Sequence, residues 1–261
     1  GPRDANAVAF NLIPIIELCR VCPGMVTAMG VSMGLTAASV MSKGTIAQKE
    51  RWGLDLLTLE KIGAWAITEP GSGSDAAALR TRAVRDGDHY VVNGSKAFIS
   101  GAGVNEVYVT MVRTGEDGPR GVSCLVIDKD TPGVSFGANE HKMGWRNQPT
   151  AVVNFDNARV PVANRLGAEG EGFKIAMSGL DGGRLNIGAC SLGGAQRALD
   201  DAIAYTRTRN QFGKAIVDFQ ATQFKLADME TELQAARTLL YAAAAKVSAG
   251  APDKTKFAAM A

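Results

Sequence analysis

Trp65-Ala66-Ile67-Thr68-Glu69-Pro70-Gly71-Ser72-Gly73-Ser74-Asp75 joins a short apolar run to a turn rich in glycine and serine. The run from Ala64 to Ile67 is too short for a helix and predicts a strand. Pro70 fixes its own φ and lacks an N–H, so the strand stops there. Gly71 and Gly73 are expected to turn the backbone sharply and let it approach a ligand. The hydroxyls of Thr68, Ser72 and Ser74 then crowd one strand end beside free backbone N–H groups, a set suited to phosphate, carbonyl or ring-edge acceptors. Gly71 to Ala76 also satisfies G-x-G-x-x-A, the dinucleotide-binding pattern, which has meaning only between a strand and a long helix. Pro70 breaks that approach. Beyond Leu79 the chain alternates toward a turn at Asp86-Gly87-Asp88, with no room for a crossover helix. The dinucleotide reading is therefore rejected, while a plain surface turn stays open, since Gly and Ser dominate turns.

Downstream, short alternating or apolar runs recur at Thr81 to Val84, His89 to Ser95, Val107 to Val112, Gly121 to Ile127, Val134 to Phe136 and Val152 to Phe155. Turn residues part them at Asp86-Gly87, at 115–119, at Thr131-Pro132-Gly133 and at Asp156-Asn157. Residues 64–165 are thus expected to form an antiparallel β-barrel or sandwich, a rigid support for the loop that leaves the first strand.

Both flanks read as helical. In residues 1–63, Ala5 to Cys19 is apolar but carries Pro14, which predicts a kink or break. Pro23-Gly24 precedes a helix from Met25 to Met41, and Thr45 is placed to cap a helix from Ile46 to roughly Gly53. In residues 166–261 the chain stays compatible with helix from Phe173 to about Arg209, with Phe173, Met177 and Leu180 on one face. Gly179, Gly182, Gly183, Gly188, Gly193 and Gly194 interrupt it, each costing up to about 1 kcal/mol against alanine. Tight helix packing and close approach of a ligand both explain such glycines, the latter at Asp181-Gly182-Gly183-Arg184. The next helix is expected after Asp218 as N-cap, with Leu226, Met229, Leu233, Ala236 and Leu240 as a bundle seam. A further helix is expected around Lys256 to Ala261.

Composition narrows the function. Of 261 residues, 46% are apolar and 21% charged, with a formal net charge of +2, which is ordinary for a soluble globular chain and too mild to argue for nucleic acid or a membrane surface. The apolar run Met25 to Val40 contains Gly30-x-x-x-Gly34 but also Thr27, Ser32, Thr36 and Ser39, and falls short of the ~20 residues that a membrane span needs. Cys19-x-x-Cys22 has no second pair and no nearby histidine, so no metal site is expected. Cys124 and Cys190 read as small packed hydrophobes, and His89 and His141 as surface or structural residues. No targeting segment is read in the sequence.

The motif I-T-E-P-G-S-G-S-D resembles the flavin and substrate signature of the acyl-CoA dehydrogenase family. The resemblance continues through Asn93-Gly94-Ser95-Lys96-Ala97-Phe98-Ile99-Ser100, Lys142-Met143-Gly144-Trp145, Gly167-Ala168-Glu169-Gly170-Glu171-Gly172-Phe173, Arg209-Asn210-Gln211-Phe212-Gly213-Lys214 and Phe219-Gln220. From Glu69 onward it is most similar to the isobutyryl-CoA dehydrogenase branch. It implies an α+β multidomain fold, with a helical N-terminal domain (1–63), a central β domain (64–165) and a C-terminal helical bundle (166–261), incomplete at both ends.

The resemblance also implies an activity. Relatives oxidise an acyl-CoA thioester to the 2,3-enoyl-CoA with FAD. A carboxylate takes the α proton and hydride leaves the β carbon for flavin N5, the thioester oxygen being stabilised as charge develops. FAD is expected against Trp65, Ala66, Ile67, Thr68, Glu69, Pro70, Gly71, Ser72, Gly73 and Ser74, with Phe98, Ile99 and Ser100 flanking the ring system. Arg209 is expected on the pyrophosphate, and Phe219 and Gln220 on the adenosine side. Ser74, Asp181, Gly182, Gly183 and Arg184 are expected on the acyl-CoA substrate. No catalytic base is nominated. In most relatives it is a glutamate beyond the position of Ala261, and in a minority it stands near Gly183, where this chain has no side chain. A short or branched substrate, an electron-transferring flavoprotein as acceptor, a homotetramer, and a bacterial cytosol or mitochondrial matrix complete the expectation. The alternative is a non-catalytic flavin- or acyl-CoA-binding remnant.

Overall fold

The strand at the head of the glycine–serine turn is β1 (Gly63–Ala66). The computed structural model describes residues 7–261, apart from the side chain of Asp181, so Ala5 and Asn6 of the expected first helix lie outside the described residues. The further strands are β2 (Arg82–Asp86), β3 (His89–Ser100), β4 (Val107–Arg113), β5 (Val122–Asp128), β6 (Val134–Phe136), β7 (Thr150–Pro161) and β8 (Arg165–Leu166). They form an eight-stranded sheet in the order β6-β7-β3-β2-β4-β5-β8, with β1 beside β4.

Most pairings are antiparallel, as expected, but two are parallel. β1 pairs parallel with β4, Gly63 facing Val107 and Ala66 facing Thr110. β2 meets β4 in parallel at Arg82 and Arg113. A parallel partner requires a long connection, and the β2–β3 hairpin between β1 and β4 provides it.

Every residue of β4 is buried, because both faces of the sheet are covered. Tyr108 and Val112 point into a core shared with Tyr90, Val92, Ile99, Val153 and Phe155. Val107, Val109 and Met111 point into a second core with Val40, Trp52, Leu56, Ile175 and Ala176. Burying an aliphatic or aromatic side chain contributes roughly 1.5–3 kcal/mol, so these two layers fix the sheet beneath the β1 turn.

By contacts the chain divides into Thr27–Leu180 and a unit made of the residues up to Val26 with Asp181–Ala261. This division cuts across the three parts expected from secondary structure, because one long helix contributes to both units. From Pro23, and within the first unit from Thr27 on, α2 (Pro23–Gly30), a π-helical stretch (Val31–Ala37) and α3 (Ala38–Lys43) run as one helix of 21 residues. It is longer than the expected Met25–Met41, and its length and mean hydropathy of 1.4 over its best window meet a criterion that core helices of globular proteins meet as well. It packs against β1: buried Ser32 accepts the Gly63 N–H at 2.9 Å. Thr45 caps the next helical stretch as expected, in a reciprocal box with Gln48. That stretch, α4 (Ile46–Gln48), a π-helical turn (Lys49–Gly53) and α5 (Leu54–Thr58), continues past the expected end at Gly53.

In the second unit α1 (Ala7–Cys19) runs unbroken through Pro14. The long helix α6 (Gly172–Thr208) is followed by the hairpin β9 (Asn210–Gln211) and β10 (Lys214–Ala215), then by α7 (Gln220–Ser248) and α8 (Lys254–Met260). Leu12, Ile16, Leu185, Ala189, Leu192, Leu233, Leu240 and Ala258 form its core. Two expectations fail here. Phe219, not Asp218, occupies the N-cap of α7, because a short 3₁₀ turn (Ile216–Asp218) precedes it. Met229 and Ala236 are exposed, so the buried seam of α7 is narrower than its apolar spacing suggests.

Candidate functional site

The turn after β1 is built around a buried ion pair. Glu69 and Ser72 exchange backbone hydrogen bonds at 2.9 and 3.1 Å, and the Ser72 hydroxyl donates to the Asp75 carbonyl at 2.6 Å. The Glu69 carboxylate turns inward. Lys96 donates to its Oε1 at 2.8 Å, and the N–H groups of Thr81 and Arg80 donate to Oε1 and Oε2 at 2.8 and 2.6 Å. Lys96 Nζ also donates to the Ile67 carbonyl at 3.1 Å, and the N–H of Ala97 to the Thr68 carbonyl at 2.8 Å. Lys96 is fully buried. Burial pushes its amine down to about 8, partly offset by Glu69, while Arg113 pushes it lower. Burial would raise the Glu69 carboxyl, but Lys96 and the two N–H donors hold it below the usual value.

Two consequences correct the sequence reading. The Glu69 carboxylate is spent inside the protein, as are the Ser72 hydroxyl and both backbone groups of Glu69. Gly71 and Gly73 do not adopt positive φ, and a β-carbon on either would meet nothing within 4 Å. The Glu69–Ser72 bonds close the turn, not glycine's conformational freedom. The chain then enters a single 3₁₀ turn (Ala76–Ala78) and β2, with no helix for a dinucleotide fold.

What the turn leaves open is a set of donors. Among the described residues, the N–H and hydroxyl of Thr68 and of Ser74 make no hydrogen bond. Thr68 is half-buried and Ser74 exposed; Trp65 and Ile67 are half-buried, Ala66 buried and Pro70 exposed. On β3, a register shift between Lys96 and Ile99 marks a bulge. Phe98 sits in it at φ +57°, its ring 66% exposed. A left-handed phenylalanine costs on the order of 1–2 kcal/mol, and bulges of this kind re-aim a side chain. Ile99 points into the core and Ser100 is half-buried. The structure therefore gathers Trp65 to Ser74 and Phe98 to Ser100 on one scaffold.

The other expected residues belong to the second unit. Arg209, exposed, directly follows α6, its N–H donating to the Tyr205 carbonyl at 2.9 Å. Its guanidinium has no partner among the described residues, which leaves its fork for an anion. Phe212 and Gly213 take positive φ in the β9–β10 turn. Phe212 stands edge-on to Phe219 at 6.3 Å, and Lys214 lies 4.2 Å over the Phe219 ring. Gln220 is exposed. Asp181, Gly182, Gly183 and Arg184 lie on α6, where the role expected of the Asp181 side chain falls outside what the structure describes. The glycines of α6 divide into two kinds. A β-carbon on Gly193 would stand 2.2 Å from the Ile16 carbonyl oxygen, and one on Gly188 3.1 Å from Leu240. Packing explains those two. On Gly182 and Gly183 a β-carbon meets nothing within 4 Å, so packing does not explain them.

Sequence reasoning gave no role to Lys96 or Arg113. Arg113 donates to the carbonyls of Leu79 and Ala77 at 2.9 and 2.6 Å and props the far end of the turn. The available signal was slight: Arg113 closes the apolar run of β4, and Lys96 stands just before Ala97-Phe98-Ile99. Among the described residues no cluster of His, Cys, Asp and Glu is arranged for a metal, and all four cysteines are free thiols.

Two family models match the chain: "Acyl-CoA dehydrogenase, middle domain" over residues 64–158 and "Acyl-CoA dehydrogenase, C-terminal domain" over 170–261. The chain belongs to the acyl-CoA dehydrogenase family. It is 50% identical to a mitochondrial isobutyryl-CoA dehydrogenase of Dictyostelium discoideum, over 95% of this chain and 60% of the relative. Among solved structures it resembles butyryl-CoA dehydrogenase from Megasphaera elsdenii (39% identity, TM-score 0.92, 97% of this chain and 66% of that one). It also resembles a chain from the electron transferring flavoprotein of Acidaminococcus fermentans (40%, TM-score 0.93, 97% and 67%). The chain spans about 60% of the length of the Dictyostelium relative. The family is FAD-dependent. In the first unit the donors of Thr68 and Ser74 and the outward Phe98 ring suit such a group in chemistry; in the second, taken by itself, the open Arg209 fork suits a phosphate.

Proposed function

We propose that this chain is the cofactor- and thioester-binding part of an FAD-dependent acyl-CoA dehydrogenase acting on a short or branched acyl group. The observation that carries the reading is the Thr68–Ser74 turn, where the carbonyls of Thr68, Glu69 and Ser72 and the Glu69 carboxylate are satisfied internally while the N–H and hydroxyl of Thr68 and of Ser74 are uncommitted. Bound FAD supplies the hydride acceptor. The protein groups do the rest: Thr68 and neighbouring N–H groups bond polar ring-edge atoms, Phe98 and Trp65 limit water, and Arg209 neutralises a pyrophosphate. Ser74 in the first unit and the Asp181–Arg184 stretch in the second are each assigned to the acyl-CoA. Gly182 and Gly183 leave room for its approach. No carboxylate of the described residues is assigned as base. The 50% identity to an isobutyryl-CoA dehydrogenase supports a branched C4 substrate, and the likeness to an electron transferring flavoprotein chain supports a flavoprotein electron acceptor. A tetramer in a bacterial cytosol or mitochondrial matrix belongs to the same reading.

The test uses the full-length protein that contains this chain. We expect a bound flavin spectrum that bleaches with isobutyryl-CoA or butyryl-CoA under anaerobic conditions. A purified, folded protein that takes up no FAD overturns the reading. Flavin that binds but is bleached by no acyl-CoA leaves the non-catalytic binding remnant as the correct alternative.

A further inference from the structure

Residues 67, 68 and 69 are tied to β3 through two consecutive residues, Lys96 and Ala97. Lys96 Nζ holds the carbonyl of Ile67 and the carboxylate of Glu69, and the Ala97 N–H holds the carbonyl of Thr68. Thr68 is thereby clamped at its carbonyl and on both sides, while its N–H and hydroxyl face no described partner. The same lysine opens the β3 bulge that turns Phe98 outward. A fully buried ammonium is expensive. An apolar side chain could fill the volume, yet it could donate to neither the carbonyl nor the carboxylate on the two sides of the residue that carries the free donors.

We propose that Lys96 is the positioning residue of the FAD cradle: its ammonium fixes the aim of the Thr68 donors and, through the bulge, of the Phe98 ring. The inference rests on the flavin reading above. Lys96 touches neither cofactor nor substrate and acts through Ile67, Glu69 and Phe98. The charged groups facing it are Glu69, from the turn after β1, and Arg113, from β4. Deprotonation removes one donor and its attraction for Glu69, so the clamp loosens as the amine titrates near 8.

The experiment measures FAD affinity of the full-length apoprotein by fluorescence titration across that pH region, beside thermal melts of the apoprotein. The proteins are wild type, Lys96→Met, and Val126→Ala as a core lesion away from the turn. Wild-type affinity is expected to fall roughly tenfold as pH rises through the Lys96 transition, the ratio that a hydrogen bond to a charged group is worth. Val126→Ala is expected to show the same profile from a less stable protein. Lys96→Met is expected to bind roughly tenfold more weakly already at neutral pH, with a flat profile. A wild-type profile without a transition there overturns the proposal, and it decides the matter even where Lys96→Met does not fold. A folded Lys96→Met that binds FAD as wild type does also overturns it. Failure of wild type to bind FAD at any pH overturns the flavin reading and this inference together.

Discussion

A β-carbon on Gly193 of α6 would stand 2.2 Å from the carbonyl oxygen of Ile16 on α1 and 2.8 Å from Cβ of Cys19, so the two helices meet backbone to backbone. Gly193→Ala is therefore expected to destabilise by about 1–3 kcal/mol through overpacking. Gly194→Ala, where nothing lies within 4 Å, is expected to stabilise by roughly 0.5–1 kcal/mol by removing glycine's entropy cost. Urea melts of the two single variants give the contrast directly; equal shifts would refute the packing assignment.

Gly183→Ala separates the two explanations for the remaining glycines. Open space around the site predicts a stability gain of roughly 0.4–1 kcal/mol. If a thioester passes close to α6 here, the same methyl weakens acyl-CoA binding in calorimetric titration. A gain in stability with unchanged affinity removes the substrate role of this position.

Lys96→Met leaves Glu69 buried without its counter-ion, an arrangement that costs about 3–5 kcal/mol when a buried pair is broken. The pH dependence has a definite sign. Lys96 titrates at about 8 in the fold and at 10.5 in its unperturbed state, so between those values the unfolded chain binds more protons and wild-type stability rises with pH. The stability gap between wild type and Lys96→Met should widen over that window. Glu69 acts at the other end: its lowered value gives stability that is present above the ordinary carboxylate range and lost as pH falls through the folded value. Denaturant melts as a function of pH measure both arms.

Phe98→Asn should trade stability against binding. Asparagine tolerates the left-handed region better than phenylalanine, and little burial is lost from a ring already 66% exposed. A gain of about 1 kcal/mol in thermal or denaturant stability is expected, with weaker FAD affinity. Lower stability would show that the ring is held by the protein and not by its ligand.

Thr45 accepts the Gln48 N–H at 3.3 Å while the Gln48 side chain accepts the Thr45 N–H at 2.8 Å. Thr45→Ala should cost about 1 kcal/mol. Gln48→Ala should cost more, because the Gln48 amide also donates to the carbonyls of Ala163 and Arg165 at 2.7 and 2.9 Å. Parallel melts of the two variants check the order.

Local chemistry made much of this legible in sequence. Alternation located the starts of β2 to β7 to within about two residues but ended β3 at Ser95 and β7 at Phe155, short of Ser100 and Pro161, and the Thr45 cap and the start of α6 near Phe173 followed from capping and periodicity. Long-range pairing was not legible: nothing in Gly63–Ala66 announces a parallel partner in Val107–Arg113. The same limit hid the site's interior. Pro70 and the two glycines read as the makers of the turn, whereas Glu69 and Lys96, distant in sequence, hold it through buried charge. The α7 seam misled for a related reason, since apolar spacing says which face can be buried and only the neighbouring helices decide how much of it is, leaving Met229 and Ala236 outside.

β1 has no strand to lie against until β4 exists, and β4 emerges from the ribosome only after β2 and β3. Such non-local pairing is slow because chain closure precedes any reward. The Thr68–Ser74 turn hangs from β1, so the turn to which we assign the flavin gains its support only after the centre of the sheet has formed.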